Sequence, residues 1–561
     1  MRLKIQSLEL ATALLLTVVI LGFHLTRVFK AGGLWRDEAA AVQLATMPSV
    51  KDVIHYFPHE AFPLLFPAVL RVYSAVTGNA DFAWRIFGFV VGVGIVGVLW
   101  WNMWKIRRGV PLLSLALLGF NAAFLQWADS IRGYGLGILL ILLTAGLIWH
   151  LLEDTTPRKF LAATCAAVAS VQCLLHNAIL LLAICAGAMA VAFARRVAGG
   201  KSKQTVRKAP PIVSDRFFAE PLLVILSVGI IAALSLVLEI GPLSSAREWD
   251  VVIRLPVGFE HLCKRISETL SASVSWYTWV WVILTFTIFV ACLAGQFWQS
   301  SPRFERDQRA VLLFAGTGLL VVIVVYFAFL LMLSYWTEPW YYLALMALVA
   351  LLVDLASDAL PRDLWLRYAR LGLALVLALV ALVPTWRKAC LRVTDIDLAA
   401  ARLNQSVGKD DLVLIAPWYA GISFERYYHG PARWETIPPL AFHRFHRYDL
   451  LKEHMLAPDQ AEPVRPLQDL MRDTLRSGHR VWVAGLRKLP PPGITPPELS
   501  PAPDPKFGWE NERYSSAWVV RAIAYLQVCA AHNEEIALTP AGAVIPFEEM
   551  PLRVFDGWAG L

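Results

Sequence analysis

The feature that most constrains this chain is a succession of apolar stretches, each about as long as a lipid bilayer is thick. About eleven of them precede residue 390, at 9–29, 84–104, 110–127, 133–152, 160–178, 179–195, 219–240, 275–297, 310–333, 340–357 and 368–386. One helix needs roughly 20 such residues to cross the hydrocarbon core. The chain is 57% hydrophobic and only 17% charged, which is unlike a soluble domain. We therefore predict a polytopic α-helical membrane protein with about eleven transmembrane helices.

The short loops between these stretches share one charge bias. If the N-terminus is cytoplasmic, every strongly basic short loop falls on the cytoplasmic side, as the positive-inside rule requires. These loops carry their lysines and arginines at 105–108, 158–159, 195–208, 303–309 and 362–370. The net charge of +8 therefore reflects membrane orientation, and no nucleic-acid partner is expected. We expect a multi-pass protein of the cell (inner) membrane, in contact with membrane lipids.

The opposite, extracytoplasmic side receives a long first loop at 30–83, a loop near 241–274 and the whole region after residue 390. The last region is far more polar and contains two β-like runs, at 411–416 and 480–484, between helical and Pro-rich segments. We predict a transmembrane module at 1–390 and an extracytoplasmic (periplasmic) α/β domain at 391–561. The sequence leaves open whether Cys390 and Cys529 form a disulfide.

An acidic pair, Asp37-Glu38, follows the first apolar stretch within Leu34-Trp35-Arg36-Asp37-Glu38. The helix dipole stabilises carboxylates in the first turn of an Ala-rich helix, so a capping role is one interpretation. A carboxylate at the membrane surface is costly unless it is solvated or functional, so an active-site acid is the other. Spacing alone does not decide between them.

Other polar residues fall on the same side. Asp129 and Arg132 are three residues apart and either pair on one helical face or leave Arg132 free to bind phosphate oxygens. His59-Glu60 is a surface turn, a metal site or a polar group facing Asp37. No clean metal-ligand spacing supports the metal interpretation, and a divalent cation requirement stays open.

Three further candidates have equally ordinary alternatives. His176, at the outer end of the fifth stretch, is either a hydrogen-bonded core residue or a minor site residue. Glu338 stands in an aromatic cluster typical of a membrane interface, which does not itself explain a carboxylate. Arg247 and Arg254 belong to a basic outer loop that indicates either an amphipathic helix or an anionic ligand.

Nucleotide-binding motifs are absent from the sequence. There is no P-loop, no Rossmann fingerprint and no Gly-rich nucleotide loop. A transfer reaction at the outer face would therefore need a donor that is already activated and delivered through the membrane.

Several ordered motifs resemble bacterial glycosyltransferases of the GT-C superfamily, in the protein-mannosyltransferase-like and aminoarabinose-transferase-like group. The resemblance covers roughly residues 8–390 and rests on Leu34-Trp35-Arg36-Asp37-Glu38, His59…Pro63-Leu64, Trp84-Arg85-Ile86 and Arg132-Gly133-Tyr134-Gly135-Leu136. The family often has His-Pro-Pro where this chain has His59-Glu60-Ala61, and often has Glu where this chain has Asp129.

The resemblance implies a GT-C-like fold and an inverting transfer of a hexosyl or pentosyl group from a polyprenyl-phosphate carrier. The acceptor would be a lipid, glycan or protein on the extracytoplasmic face. Asp37 would be the catalytic base, with Glu38 second. Donor-phosphate ligands would be Arg132 and Arg254, then Arg247, Arg85 and Tyr134, and sugar or acceptor ligands would be His59, Glu60, Asp129, His176 and Glu338. The alternatives are a transporter or flippase of a lipid-linked sugar and a membrane scaffold with a partner-binding soluble domain.

Overall fold

The fold was analysed in a computed structural model. It describes residues 2–60, 62–199, 218, 220–241, 257–271, 274–297, 306–333, 336–360, 363–540, 542–546 and 548–560. Arg247 and Arg254 lie outside these residues. The α-helices are Arg2–Lys30, Arg36–Ala45, Val50–Tyr56, Leu65–Thr77, Asp81–Arg107, Leu112–Ser114, Ala122–Ala128, Gly133–Glu153, Pro157–Val171, Asn177–Gly199, Pro221–Ser235, Phe259–Leu270, Tyr277–Phe297, Arg306–Leu333, Leu343–Ala359, Leu364–Ala389, Ile396–Ser406, Gly421–Tyr427, Tyr448–Met455, Arg465–Arg476 and Asn511–Cys529.

Nine helices in the described part of the chain are long and apolar enough to cross a membrane. The predicted polytopic membrane fold is thus confirmed. Of the other two apolar stretches, 160–178 forms the 15-residue helix Pro157–Val171. The stretch 110–127 forms a helix that is interrupted after a π-helical segment at Leu115–Gly119.

The interruption at Phe120 and Asn121 is stabilised by neighbouring helices. The Asn121 side chain accepts a hydrogen bond from the Phe124 N–H at 2.8 Å, which begins a new helix. The Phe120 carbonyl accepts one from the Thr385 hydroxyl at 2.6 Å. Broken backbone is tolerated in a membrane bundle where surrounding protein satisfies the freed polar groups. The short helix Ala122–Ala128 separates this break from the loop that carries Arg132.

One end of the bundle contains a buried ion-pair network built from the basic loop residues. Arg370 contacts Asp354 at 2.7 Å and Asp358 at 3.0 Å, and Arg107 contacts Asp358 at 3.0 Å. Arg367 pairs with Glu9. The opposite end carries the first long loop and the C-terminal domain.

The C-terminal domain is an α/β domain, as predicted. Its sheet has the order β2-β1-β3-β5-β4. The strands are β1 Leu412–Ile415, β2 Arg433–Thr436, β3 Val481–Ala484, β4 Ala530–Ile536 and β5 Leu552–Trp558. β1 is parallel to β2 and β3, whereas β5 is antiparallel to β3 and β4. Both faces of β1 are buried, which explains its continuous apolar run. Cys390 and Cys529 are free thiols.

The domain packs directly against the first long loop. Arg426 contacts Asp81 at 2.7 Å, and the Tyr427 hydroxyl donates to the other Asp81 oxygen at 2.7 Å. The Val393 N–H donates to the Ala31 carbonyl at 2.8 Å. These contacts join the first long loop to the C-terminal domain at one face of the bundle.

We expect Arg370→Met to lower the free energy of unfolding by about 3–5 kcal/mol, because it leaves the fully buried Asp354 without its cation. Thermal unfolding in detergent micelles measures this change. The control is Arg433→Met, since Arg433 is 61% exposed and its pair with Glu435 should contribute about 0–1 kcal/mol. Equal losses in the two variants would contradict the assignment of a stabilising network.

Candidate functional site

The candidate site is built around the helix Arg36–Ala45, referred to below as the Asp37 helix. Its Ala-rich sequence favours a helix, but its N-cap residue, Trp35, has no side-chain oxygen to cap it. The Glu38 carboxylate accepts the Trp35 N–H at 3.4 Å instead. Before the helix, Gly32 has a φ of +72°, and a Cβ there would lie 2.5 Å from the Arg392 guanidinium. Glycine is therefore required at this turn.

Glu38 ties the Asp37 helix to two other segments. Its two carboxylate oxygens accept hydrogen bonds from Arg85 Nη1 at 2.9 and 3.0 Å. It also accepts the backbone N–H of Ile131 at 3.0 Å. The Glu38 side chain is 1% exposed and faces the bundle. Arg85 additionally donates to the carbonyls of Gly32 and Gly33.

Asp37, which immediately precedes Glu38 in the sequence, faces a cavity. Its carboxylate lies 3.3 Å from Arg36 Nε, 3.8 Å from Arg132 Nη2 and 3.4 Å from His446 Nε2. Burial alone would raise the pKa of Asp37, but Arg132, His446 and Arg36 together hold that pKa well below its usual range. Asp37 is therefore ionised at neutral pH.

A second carboxylate, Glu60, lies beneath the cavity lining and contacts Arg132 and His446. Arg132 Nη1 donates to Glu60 Oε2 at 3.2 Å and to the Asp37 carbonyl at 3.1 Å. The Arg132 guanidinium also lies over the Phe62 ring, 3.9 Å from its centroid. Arg132 is thus fixed by a carboxylate, a carbonyl and an aromatic face.

His446, contributed by the C-terminal domain, bridges the two carboxylates. Its Nδ1 lies 3.2 Å from Glu60, and its Nε2 faces Asp37. Burial opposes the imidazolium, but hydrogen bonds and charge from Asp37 and Glu60 raise the pKa of His446. Sequence reasoning missed this residue, because it lies 386 positions from Glu60 and in no recognisable motif.

The cavity has a volume of about 290 Å³. Both modules of the chain line it. The site residues expected from sequence that line it are Asp37, Arg132, Tyr134, His176 and Glu338. Other lining residues include Arg36, His446, Asn511, Glu512 and aromatic side chains at Trp336, Trp340, Tyr341, Tyr419 and Tyr448.

Two of these lining residues have notable surroundings. The Arg36 guanidinium lies 3.9 Å from the centroid of Tyr419. Burial lowers the pKa of His176 to about 4, so this imidazole is neutral, and its Nδ1 has no hydrogen-bond partner in the described part of the chain. A neutral imidazole at a cavity wall is suited to bind a hydroxyl group.

Other expected site residues lie elsewhere. Asp129 faces into the bundle, where its oxygens lie 2.7 and 2.8 Å from His24 Nδ1. Arg85 and Glu38 are behind the cavity wall, and Glu60 is beneath Arg132 and His446. His59 neighbours Tyr56 and does not line the cavity. Among the described residues, no group of three or more His, Cys, Asp and Glu is arranged to hold a metal ion.

An apolar groove of about 400 Å³ lies between helices of the membrane bundle. It runs between the helices Phe259–Leu270, Tyr277–Phe297, Arg306–Leu333 and Leu343–Ala359, with Trp281, Phe286, Phe289 and Phe327 among its lining residues. Tyr342 lines the groove, whereas its neighbour Tyr341 lines the cavity. Arg265, on the first of these helices, lies 3.5 Å from Glu338 at the cavity wall.

The comparisons with known proteins found no matching family model and no matching curated protein. Among solved structures, the apo oligosaccharyltransferase of Archaeoglobus fulgidus has 12% identity and a TM-score of 0.45, covering 85% of this chain and 69% of that one. The same organism's oligosaccharyltransferase AglB with an inhibitory peptide and a dolichol-phosphate has 11% identity and a TM-score of 0.43, with the same coverage. Its complex with Zn and sulfate has 13% identity and a TM-score of 0.42, covering 84% of this chain and 67% of that one.

All three of these structures are of oligosaccharyltransferases.

We expect Glu38→Gln to destabilise the protein by about 3–5 kcal/mol, because Arg85, only 5% exposed, loses its buried counter-ion. Thermal unfolding of the purified protein measures this loss. The matched control is Asp37→Asn, which should cost less because Arg132 keeps Glu60 as a partner. Similar melting temperatures for the two variants would contradict the separate roles of the two acids.

Proposed function

We propose that this protein is an inverting glycosyltransferase that moves a sugar from a polyprenyl-phosphate carrier to an acceptor at the extracytoplasmic face of the membrane. The observation that carries the proposal is the ionised Asp37 carboxylate beside Arg132 in a cavity at one end of a membrane bundle. A base and a phosphate ligand within reach of one another are what such a transfer requires.

The proposed reaction is a single displacement. The acceptor hydroxyl attacks the anomeric carbon as the bond between that carbon and the phosphate oxygen breaks. Asp37 takes the hydroxyl proton, and the polyprenyl phosphate leaves with the bonding electron pair. One base suffices, and inversion follows from attack on the face opposite the phosphate.

Asp37 is favoured over Glu38 as the base because only Asp37 faces the cavity. The Glu38 oxygens already accept hydrogen bonds from Arg85, Ile131 and Trp35. A carboxylate with this many donors has no lone pair directed at a substrate and would have to release Arg85 into a buried site. Glu38 therefore has a positioning role in this proposal.

The donor phosphate is assigned to Arg132 and Arg36, with Tyr134 beside them. Arg36 and Arg132 place two guanidinium cations beside Asp37 in the cavity lining, which suits an anionic leaving group. The apolar groove is suited to the prenyl chain, since its lining is almost wholly hydrocarbon and one of its helices carries Arg265, which contacts Glu338. His176 and Glu338 remain our candidates for sugar or acceptor hydroxyls.

The main alternative, a transporter or flippase of a lipid-linked sugar, would use the same groove and arginines. It would move the donor without breaking the sugar–phosphate bond, so a product assay distinguishes the two functions.

We expect Asp37→Asn to reduce sugar transfer by at least about 100-fold, because an amide cannot accept the acceptor proton. Transfer is measured in membranes with a panel of polyprenyl-phosphate sugars and lipid, glycan and peptide acceptors. Asp52→Asn is the control, since Asp52 lies in the same loop but caps the helix Val50–Tyr56. Unchanged turnover in Asp37→Asn would remove Asp37 from the catalytic role.

The raised pKa of His446 predicts an alkaline decline in transfer. The imidazolium donates hydrogen bonds to both Asp37 and Glu60. As pH rises through that raised pKa, the ring loses a proton and with it one of these two N–H donors. His446→Gln should slow transfer by about tenfold or more and abolish the decline. His443→Gln is the control, because burial lowers the pKa of His443 to about 4 and its ring packs on Trp434. An unaltered alkaline limb in His446→Gln would contradict this assignment.

A further inference from the structure

A fourth carboxylate near the Asp37 helix, after Asp37, Glu38 and Glu60, comes from the opposite end of the sequence. Glu548 belongs to the C-terminal domain and is 2% exposed. Its Oε1 accepts the backbone N–H of Arg36 at 3.0 Å, although the two residues are 512 positions apart. The same oxygen accepts a hydrogen bond from the Ser423 hydroxyl at 3.0 Å.

The first turn of a helix has backbone N–H groups without helical partners. The Asp37 helix has no N-cap side chain to accept these N–H groups, because Trp35 contributes no side-chain cap. Two carboxylates take its place: Glu38 for the Trp35 N–H, and Glu548 for the Arg36 N–H. Glu548 therefore holds the residue immediately before Asp37.

Glu548 also acts on the side chain of Arg36. Its charge, like that of Asp37, stabilises the Arg36 guanidinium. When both carboxylates are ionised, they share that cation. When Glu548 is neutral, Arg36 is balanced mainly by Asp37 and competes with an acceptor hydroxyl for the Asp37 oxygens.

We propose that Glu548 is a positioning residue for Asp37: it holds the Asp37 helix through the Arg36 N–H, and in its ionised form it shares the Arg36 charge so that Asp37 can receive the acceptor proton. The expected effect on activity rests on the proposed transfer reaction. The contacts that carry the inference, from Glu548 to Arg36 and from Arg36 to Asp37, do not depend on the identity of the sugar or the acceptor.

The surroundings of Glu548 give this role a pH dependence. Burial raises the pKa of Glu548 to about 7, although Arg36, Thr394 and Ser423 oppose the rise. Arg36 is the charged group facing it from the Asp37 helix, and Ser423 and Thr394 contribute hydroxyls from the C-terminal domain. Beyond Arg36 lie the Asp37 carboxylate and the Tyr419 ring.

The test compares full-length wild type, Glu548→Gln and Glu549→Gln in liposomes between pH 5.5 and 8. Glu549 is the matched control, because it is half exposed and pairs with Arg487 at the surface. We expect wild-type and Glu549→Gln transfer to rise about tenfold through pH 7. In Glu548→Gln this acid limb should be missing at equal protein content, and an identical acid limb in that variant would overturn the proposal.

A second measurement does not need any transfer activity. Because the pKa of Glu548 is raised, its stabilising effect is present below about pH 4.5 and is lost as pH rises through about 7. The melting temperature of wild type should therefore fall relative to that of Glu548→Gln over this range. Parallel melting curves would overturn the proposal, whereas diverging curves without detectable transfer would support the buried carboxyl and contradict the proposed function.

Discussion

The site depends on the buried ion pair between Glu38 and Arg85. Glu38 fixes the Asp37 helix to the membrane helix Asp81–Arg107 and, through Ile131, to the loop that carries Arg132. Arg85 also holds the carbonyls of Gly32 and Gly33, so both ends of the turn before the helix are anchored. Successive helical residues point about 100° apart, and adjacent acids therefore serve different neighbours. One carboxylate stabilises the site, and the other remains directed at the cavity.

The C-terminal domain is a structural part of this site. The Tyr427 hydroxyl accepts the Leu34 N–H at 2.6 Å, His446 bridges two carboxylates, and Glu548 accepts the Arg36 N–H. A Cβ at Gly33 would lie 3.0 Å from Asp397, so the glycine pair allows the domain to approach the backbone closely. The turn before Asp37 is thus held by Arg85 of the helix Asp81–Arg107 and, separately, by residues of the C-terminal domain.

Sequence reasoning predicted the features that local residue patterns determine, namely the membrane helices and two strands of the C-terminal sheet. Apolar stretches of membrane length became helices, and the runs at 411–416 and 480–484 became β1 and β3, because burial in a bundle or a sheet centre leaves a clear mark on composition. It did not predict the break at Asn121, which depends on Thr385, or the roles of His446 and Glu548, which depend on contacts across hundreds of residues. The pairing of Asp129 with His24 rather than Arg132 was equally invisible, since both alternatives fit the spacing.

The low pKa of Asp37 has a consequence for the proposed reaction. A strongly depressed carboxyl is a poor base, and here Arg132, His446 and Arg36 together depress the pKa. A donor phosphate bound to Arg132 would take over part of that positive charge, and the pKa of Asp37 would then rise toward the range useful for accepting a proton. Glu548, by sharing the charge of Arg36, acts in the same direction. Asp37 would therefore become an effective base only when a donor occupies the cavity, which couples proton transfer to donor binding and disfavours proton uptake in the empty site.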